Sequence, residues 1–281
     1  MLGHDLYAGG AFTSAGGSAA YYIAKWNGST WAQLLTGVNG PVQALAASGN
    51  NLYVGGKFTS AGALSANRIA RWDGSQWSAL DSGLNDTVHA MALSGSNLYV
   101  GGDFTTAGST PATNIAKWNG SSWSALGPGM TGRVHAIAVW RTNVYVGGEL
   151  ALPGRAVYVA KWDGNRWTIL GSGVNSNVLV LTISGSDLYA GGTFTVAGGK
   201  ISTYLARAYL EQPTLSILRS GDDVTLSWPT FYETFALQQN PNAANSNTWS
   251  NANYPLTTNG STKIATVPIT LINQFFRLIG N

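Results

Sequence analysis

Two histidines in a shared register are the side chains with the most obvious chemistry. His89 stands second in Val88-His89-Ala90-Met91-Ala92-Leu93, and His135 second in Val134-His135-Ala136-Ile137-Ala138-Val139. The equivalent stretches elsewhere carry Gln43 and Leu179 at that position. Two imidazoles held side by side can share a metal or a polar ligand, but two ligands without a third make a poor zinc site. The better reading is a polar lining of an interior channel. His4, close to the start of the sequence, reads as solvated.

A second set of candidates stands out by departing from its surroundings. Arg133 precedes the His135 stretch, and Trp140-Arg141 follows it where related stretches have Ser-Gly. An aromatic ring beside a guanidinium in an exposed turn suits a sugar or a protein surface, and equally suits covering a neighbouring element. The sequence leaves both open. A third set is a basic column, Lys25, Arg71, Lys117, Lys161 and Arg207. It admits an anionic polymer as ligand, but a packing role is favoured, each stem lying across a neighbouring Trp with its charge at the rim. The position after each of five double glycines reads Ala11, Lys57, Asp103, Glu149 and Thr193, so no carboxylate recurs there as a metal-binding repeat requires. No EF-hand loop, nucleophile elbow or phosphate loop is present.

The elements that position these residues are repeats. Leu6-Tyr7-Ala8-Gly9-Gly10 returns at Leu52, Leu98, Val144 and Leu188, at spacings of 46, 46, 46 and 44 residues. A block of the form Trp26-Asn27-Gly28…Trp31 follows in the first four units, and the alternating histidine-bearing stretch precedes the next double glycine. Each unit reads as four short strands. In the third unit, strand a runs from Val88 to Leu93, b from Leu98 to Thr105, c from Asn114 to Trp118, and d starts near Trp123. The Asn-Gly or Asp-Gly pair between c and d is expected to supply the positive φ angles of a tight hairpin. Four strands in about 45 residues, repeated, describe a propeller blade. Strand a is then innermost, the paired glycines permit close backbone approach near the centre, and the two tryptophans fill the wider space between blades.

Leu52-Tyr53-Val54-Gly55-Gly56, Ile69-Ala70-Arg71-Trp72-Asp73-Gly74-Ser75-Gln76-Trp77 and Val88-His89-Ala90-Met91-Ala92 together resemble the kelch repeat. They are closer still to repeats of large bacterial surface proteins and of the fungal cortical marker of cell polarity. The resemblance spans roughly residues 1 to 209. It implies an all-β fold, a β-propeller of about five four-stranded kelch-like blades over residues 1–210. Counting strands gives three, four, four, four and three, two short of five complete blades, which together with a start inside a repeat favours a fragment of a longer array. The galactose oxidase relatives of kelch need a cysteine cross-linked to tyrosine, and this chain has no cysteine.

After Glu211-Gln212-Pro213 the pattern changes to short alternating strands: Leu215–Arg219, Val224–Trp228, Phe235–Gln239, Lys263–Ile269 and Phe275–Ile279. They predict a small C-terminal β-sandwich over residues 211–281. Val224-Thr225-Leu226-Ser227-Trp228-Pro229 and Phe275-Phe276-Arg277-Leu278 are similar to the fibronectin-III-like module that ends many secreted bacterial proteins.

Composition narrows the function. Only 10% of the 281 residues are charged while 44% are hydrophobic, so Ser, Thr, Asn and Gly must cover the surface, as is common outside cells. The net charge of +3 forms no basic stripe, so nucleic acid is not an expected partner. No stretch approaches the 18 apolar residues of a membrane span. Asn27, Asn85, Asn119 and Asn259 open Asn-x-Ser/Thr sites, which matter only in a eukaryotic secretory host. The expected protein is a non-catalytic, secreted or cell-surface binding or structural module with a protein or glycan ligand and no cofactor or metal. Its candidate ligand-binding residues are His89, His135, Arg133, Trp140 and Arg141. The alternatives are a carbohydrate-binding lectin with aromatic-rich loops, and a propeller lyase or hydrolase whose site is built from non-repeated loops.

Overall fold

The computed structural model describes residues 5–152, 155–210, 214–229, 235–242, 248–268 and 274–280. His4, the Glu211–Pro213 connection and Ile269 lie outside the described residues. The chain divides into two compact units, Met1–Tyr209 and Leu210–Asn281.

The first unit is a succession of five antiparallel blades with three, four, four, four and three strands. Blade III shows the plan: strand a is Val88–Ser94, b is Asn97–Gly102, c is Ile115–Trp118 and d is Trp123–Ala125, paired in the order a-b-c-d. Blade I has strands b, c and d among the described residues, and blade V has a, b and c. Successive blades pack through their innermost strands, Val42–Ser48 on Val88–Ser94, then Thr131–Trp140, then Val178–Ser184.

Strand b ends at Gly102 rather than at the expected Thr105. Phe104, fully buried, turns the chain into a two-stranded hairpin, Thr106–Ala107 with Thr110–Pro111. A left-handed residue locks this turn. Asn114, at φ 60°, donates its backbone N–H to the Phe104 carbonyl and accepts from the N–H of Gly102. Tyr22, Arg68 and Tyr204 repeat the arrangement in blades I, II and V, each at a φ of 64–65°. In blade IV no separate hairpin is formed among the described residues. Its Glu149-Leu150-Ala151 departure lengthens strands a, b and c to Thr131–Trp140, Asn143–Leu152 and Arg155–Trp162, across a bulge between Gly147 and Leu150.

The two glycines of each pair do different work. A Cβ on Gly101 would lie 2.4 Å from Val134 Cγ1 of the next blade, and one on Gly102 would lie 2.0 Å from the Thr87 carbonyl of its own. Gly9, Gly55 and Gly147 likewise receive Val42, Val88 and Val178 at 2.4–2.5 Å. Among the described residues, Gly191 of blade V receives nothing closer than 3.8 Å. The difference shows in burial. Ile69 and Ile115, which cover this face in blades II and III, are fully buried, whereas their counterpart Leu205 is 63% exposed.

The tryptophans pair across strands c and d, with centroids 5.1 Å apart for both Trp72–Trp77 and Trp118–Trp123. The second of each pair reaches back to the preceding blade, as Trp123 Nε1 donates to the Leu80 carbonyl at 3.1 Å and Trp167 Nε1 to that of Leu126 at 3.0 Å. The turn between them differs from expectation. Only the glycine is left-handed, Gly74 at φ 104°, while Asp73 contributes its side chain. Its Oδ1 accepts from the backbone N–H groups of Ser75 and Gln76, both at 2.8 Å. Those bonds, from Gln76 first, hold the Asp73 carboxyl down at about 2. Asn27 and Asn119 make the same turn without a titrating group.

The second unit holds a four-stranded sheet, Ser216–Ser220, Asp223–Pro229, Thr262–Pro268 and Leu256–Asn259, and a three-stranded one, Ser250–Asn251, Phe235–Asn240 and Phe275–Gly280. Leu226, Trp228, Ala265 and Val267 of the first sheet share a buried cluster with Leu237 of the second. The short strands at Ser250 and Leu256 escape the sequence pattern because Asn, Thr and Ser dominate them.

Candidate site at the inner rim of blades III and IV

The strongest concentration of polar chemistry lies where strands a and b of blades III and IV meet at the inner rim. His89 projects from the bulge between Val88 and Ala90, and His135 from the equivalent bulge between Val134 and Ala136. Their rings lie 5.6 Å apart, tilted by 49°. Asp103, the residue after the double glycine, joins them: its Oδ2 is 2.9 Å from His89 Nε2, and its Oδ1 accepts from Arg133 Nε at 2.8 Å. His89 Nδ1 meets Gln43 Oε1 of blade II. Asn177 of blade V donates to Glu149 at 2.8 Å. Blades II to V are thus linked along the rim, the Gln43–His89, Asp103–Arg133 and Glu149–Asn177 bonds crossing from one repeat to the next and His89–Asp103 joining them within blade III.

Beside this ladder, a cavity of about 400 Å³ is lined by Asp86, Asp103, Asn114, Gly132, Arg133 and Glu149. Asp86 accepts from the Thr87 backbone N–H at 2.7 Å. Buried Asn114 donates to the Gly102 carbonyl at 2.8 Å. Burial works against the charge of Asp103, but hydrogen bonds and attraction from His89 and Arg133 outweigh it and hold the carboxyl below its ordinary value. His135 is pushed below its ordinary value by burial first, then by repulsion from His89 and Arg133. Among the described residues, no three of His, Asp and Glu are arranged to hold a metal ion.

The depressed His135 value carries a pH dependence of known sign. Near pH 6.5 the unfolded chain takes up its proton more readily than the folded one, so stability falls as pH drops through that range. Chemical denaturation midpoints are expected to rise between pH 5 and 7.5. His135→Gln, which installs the residue used at position 43, should flatten that rise. An unchanged slope in the variant would assign it to other groups.

Of the five residues singled out in the sequence, the fold brings three together, His89, His135 and Arg133. Trp140 and Arg141 lie at the opposite end of the Thr131–Trp140 strand and form no part of the cleft. There Arg141, at φ 55°, stacks its guanidinium 4.2 Å from the centre of the Trp140 ring. Asp86, Asp103 and Glu149 are the cleft residues that sequence reasoning passed over. The signal was present in the column after the double glycines: its carboxylates appear in the two successive blades whose neighbours supply Arg133 and Asn177. The basic column is also placed differently from expectation. Lys25, Arg71, Lys117, Lys161 and Arg207 pair across strands with Tyr7, Tyr53, Tyr99, Tyr145 and Tyr189, not with tryptophans. Lys25 and Arg207 close ion pairs with Asp5 at 3.1 Å and Asp187 at 2.8 Å, and Arg207 also lies over Tyr209.

A family model described as the Rax2 C-terminal beta propeller domain matches residues 30–178, more than half of the chain. The chain belongs to that family. The match takes in blades II to IV entire, and with them the inner-rim cleft of this Rax2-type propeller. No protein with a curated description matches the chain. Among solved structures, the computationally designed Ika8 protein shares 15% identity at a TM-score of 0.46, covering 87% of this chain and 77% of its own. The designed Ika4 protein shares 20% identity at a TM-score of 0.43, covering 63% and 96%. A Rax2-type propeller fits a binding or structural module.

Proposed function

We propose that this protein is a non-catalytic binding module, secreted or displayed at a cell surface, that holds a protein partner through a cationic side chain seated in the inner-rim cleft. The observation that carries this reading is the charge of the cavity. Asp86, Asp103 and Glu149 line it against the single guanidinium of Arg133, so the cleft is acidic within a chain whose net charge is +3. Carboxylates gathered in a concave site focus their field and attract an ammonium or guanidinium more strongly than the same groups scattered over the surface. The hydrogen bonds from Thr87 to Asp86 and from Asn177 to Glu149 hold two of these carboxylates in place before a ligand arrives.

The same geometry argues against the hydrolase or lyase alternative. Both ring nitrogens of His89 and both oxygens of Asp103 are engaged by Gln43, Asp103, His89 and Arg133. No Ser or Thr hydroxyl stands within hydrogen-bond reach of either imidazole among the described residues, so a nucleophile and its base are not assembled. The C-terminal unit, whose sequence is similar to a fibronectin-III-like module, would serve as spacer or attachment region.

Titration calorimetry with hexalysine and hexaarginine tests the reading. Binding is expected at low salt, weakening as salt rises, and at least tenfold weaker in an Asp86→Asn/Glu149→Gln double variant. Equal affinity in the double variant, or no binding of either peptide, overturns it.

A further inference from the structure

A second concave site, remote in sequence from the cleft and uncharged, lies between blades I and II. Its cavity of about 330 Å³ is lined by Tyr21 and Tyr22, which lead into strand c of blade I, by Thr36 and Asn39 of the connection to blade II, and by Ser60 of the blade II hairpin. The backbone around it is firmly tied. Val38 N–H donates to the Tyr21 carbonyl at 3.2 Å, Gly62 N–H to the Gly37 carbonyl at 2.7 Å, and Asn39 Oδ1 accepts from the N–H groups of Thr59 and Ser60. The rim is therefore shaped in advance of any ligand.

The repeat supplies an internal comparison. The next groove, between blades II and III, has the same volume of about 330 Å³ and the same scaffold, with Leu84 N–H on the Asn67 carbonyl and Gly108 N–H on that of Gly83. There, however, the two tyrosines are replaced by Asn67 and Arg68, and both side chains are spent on the scaffold. Asn67 donates to the Ser82 carbonyl at 3.0 Å and Arg68 to that of Phe58 at 3.2 Å. In the first groove the hydroxyls of Tyr21, Tyr22, Thr36 and Ser60 have no protein partner among the described residues, and Tyr21 is 47% exposed. Tyr22 packs on the core, but the hydrogen-bonded scaffold demands nothing of the Tyr21 side chain, because the same backbone bonds form on the other pair.

We infer that this groove is a binding site for a neutral saccharide. The half-exposed Tyr21 ring offers a flat apolar face to the C–H side of a sugar ring while Tyr22 packs on the core beneath, and four unengaged hydroxyls can each donate and accept with its hydroxyl groups. No charged side chain lines the groove, so an acidic sugar gains nothing there. The volume lies at the lower end of the range for small-molecule sites, roughly 300–1,000 Å³, which suits one or two sugar units. This site is independent of the acidic cleft, and either can fail without the other.

Saturation-transfer NMR on the full chain with D-glucose, D-galactose, N-acetyl-D-glucosamine and cellobiose at millimolar concentration tests it. At least one of these neutral sugars is expected to receive transfer. Affinity should fall at least tenfold in Tyr21→Ala, be largely kept in Tyr21→Phe, and be unchanged in Arg133→Ala. Because Tyr21 is about half exposed, its truncation should leave the thermal midpoint near that of the parent chain, which separates lost binding from lost fold. Absence of transfer to all four sugars, or unaltered binding by Tyr21→Ala, overturns the assignment. So does a groove that responds only to peptides.

Discussion

Replacing Gly101 by alanine is expected to destabilise the propeller severely, while the same change at Gly191 is expected to leave it nearly unaltered. The two residues hold one register position in blades III and V. At Gly101 the added methyl would sit 2.4 Å from Val134 Cγ1 and 3.0 Å from Ile137 Cδ1, so the innermost strand of blade IV, which carries both, must move to admit it. Forcing a methyl into a filled interface costs about 3 kcal/mol. For a unit of this size that lowers the melting midpoint by roughly 10 °C. At Gly191 the methyl meets only the Tyr204 carbonyl at 3.8 Å and Val180 Cβ at 3.9 Å, both ordinary contacts, and neither glycine has a positive φ to complicate the comparison. Equal losses at both positions would show that the glycine is required by its own blade and not by the following one.

The second large effect is at Trp123. It is 6% exposed, packs against Trp118 at 5.1 Å and donates from Nε1 to the Leu80 carbonyl of blade II. Truncation to alanine leaves a cavity beneath blade III and orphans that carbonyl, for a loss of about 3–5 kcal/mol. Trp31 provides the control. It faces Trp26 in the same way at 5.5 Å, but it stands in the first blade and has no hydrogen bond to a preceding one among the described residues. Trp31→Ala should therefore cost about half as much, since less area is restored to water and no carbonyl is stranded. Urea denaturation of both variants measures the difference. Identical midpoints would mean that the inter-blade bond contributes little and the tryptophan pair accounts for the effect.

Much of this architecture is legible in the residues, because a repeat displays its packing rules several times over. The double glycines, the paired tryptophans and the alternating inner strands each have one physical reason, and that reason recurs at a fixed interval. The count of three, four, four, four and three strands follows from them directly. What escaped is what depends on a neighbour in space. That Gly101 serves Val134 while Gly102 serves the carbonyl of Thr87 cannot be read from a dipeptide. Asp73 was read as a conformational residue, whereas its carboxylate acts as an acceptor for two backbone N–H groups. The site was half legible. His89, His135 and Arg133 announced themselves by register or by departure from it. Asp103 and Glu149 did not, because a carboxylate in only two of five repeats looks like drift until the partners from adjoining blades are seen. Trp140 ends the strand that carries Arg133 and Arg141 follows it in the turn, yet a strand of ten residues sets its two ends roughly 30 Å apart.

The single-neighbour packing has a consequence for how this molecule comes apart. Blades II to IV are each secured by the valine they insert into the blade before and by the one they receive from the blade after. The free energy of opening is then a sum of local terms along the array, not one number for the whole. Blade V inserts Val178 but, among the described residues, receives no side chain at Gly191, so its amide protons exchange with solvent through the smallest opening, and protection climbs toward blade III. A ligand gripping blades III and IV would slow exchange mainly in the segments that are already the slowest.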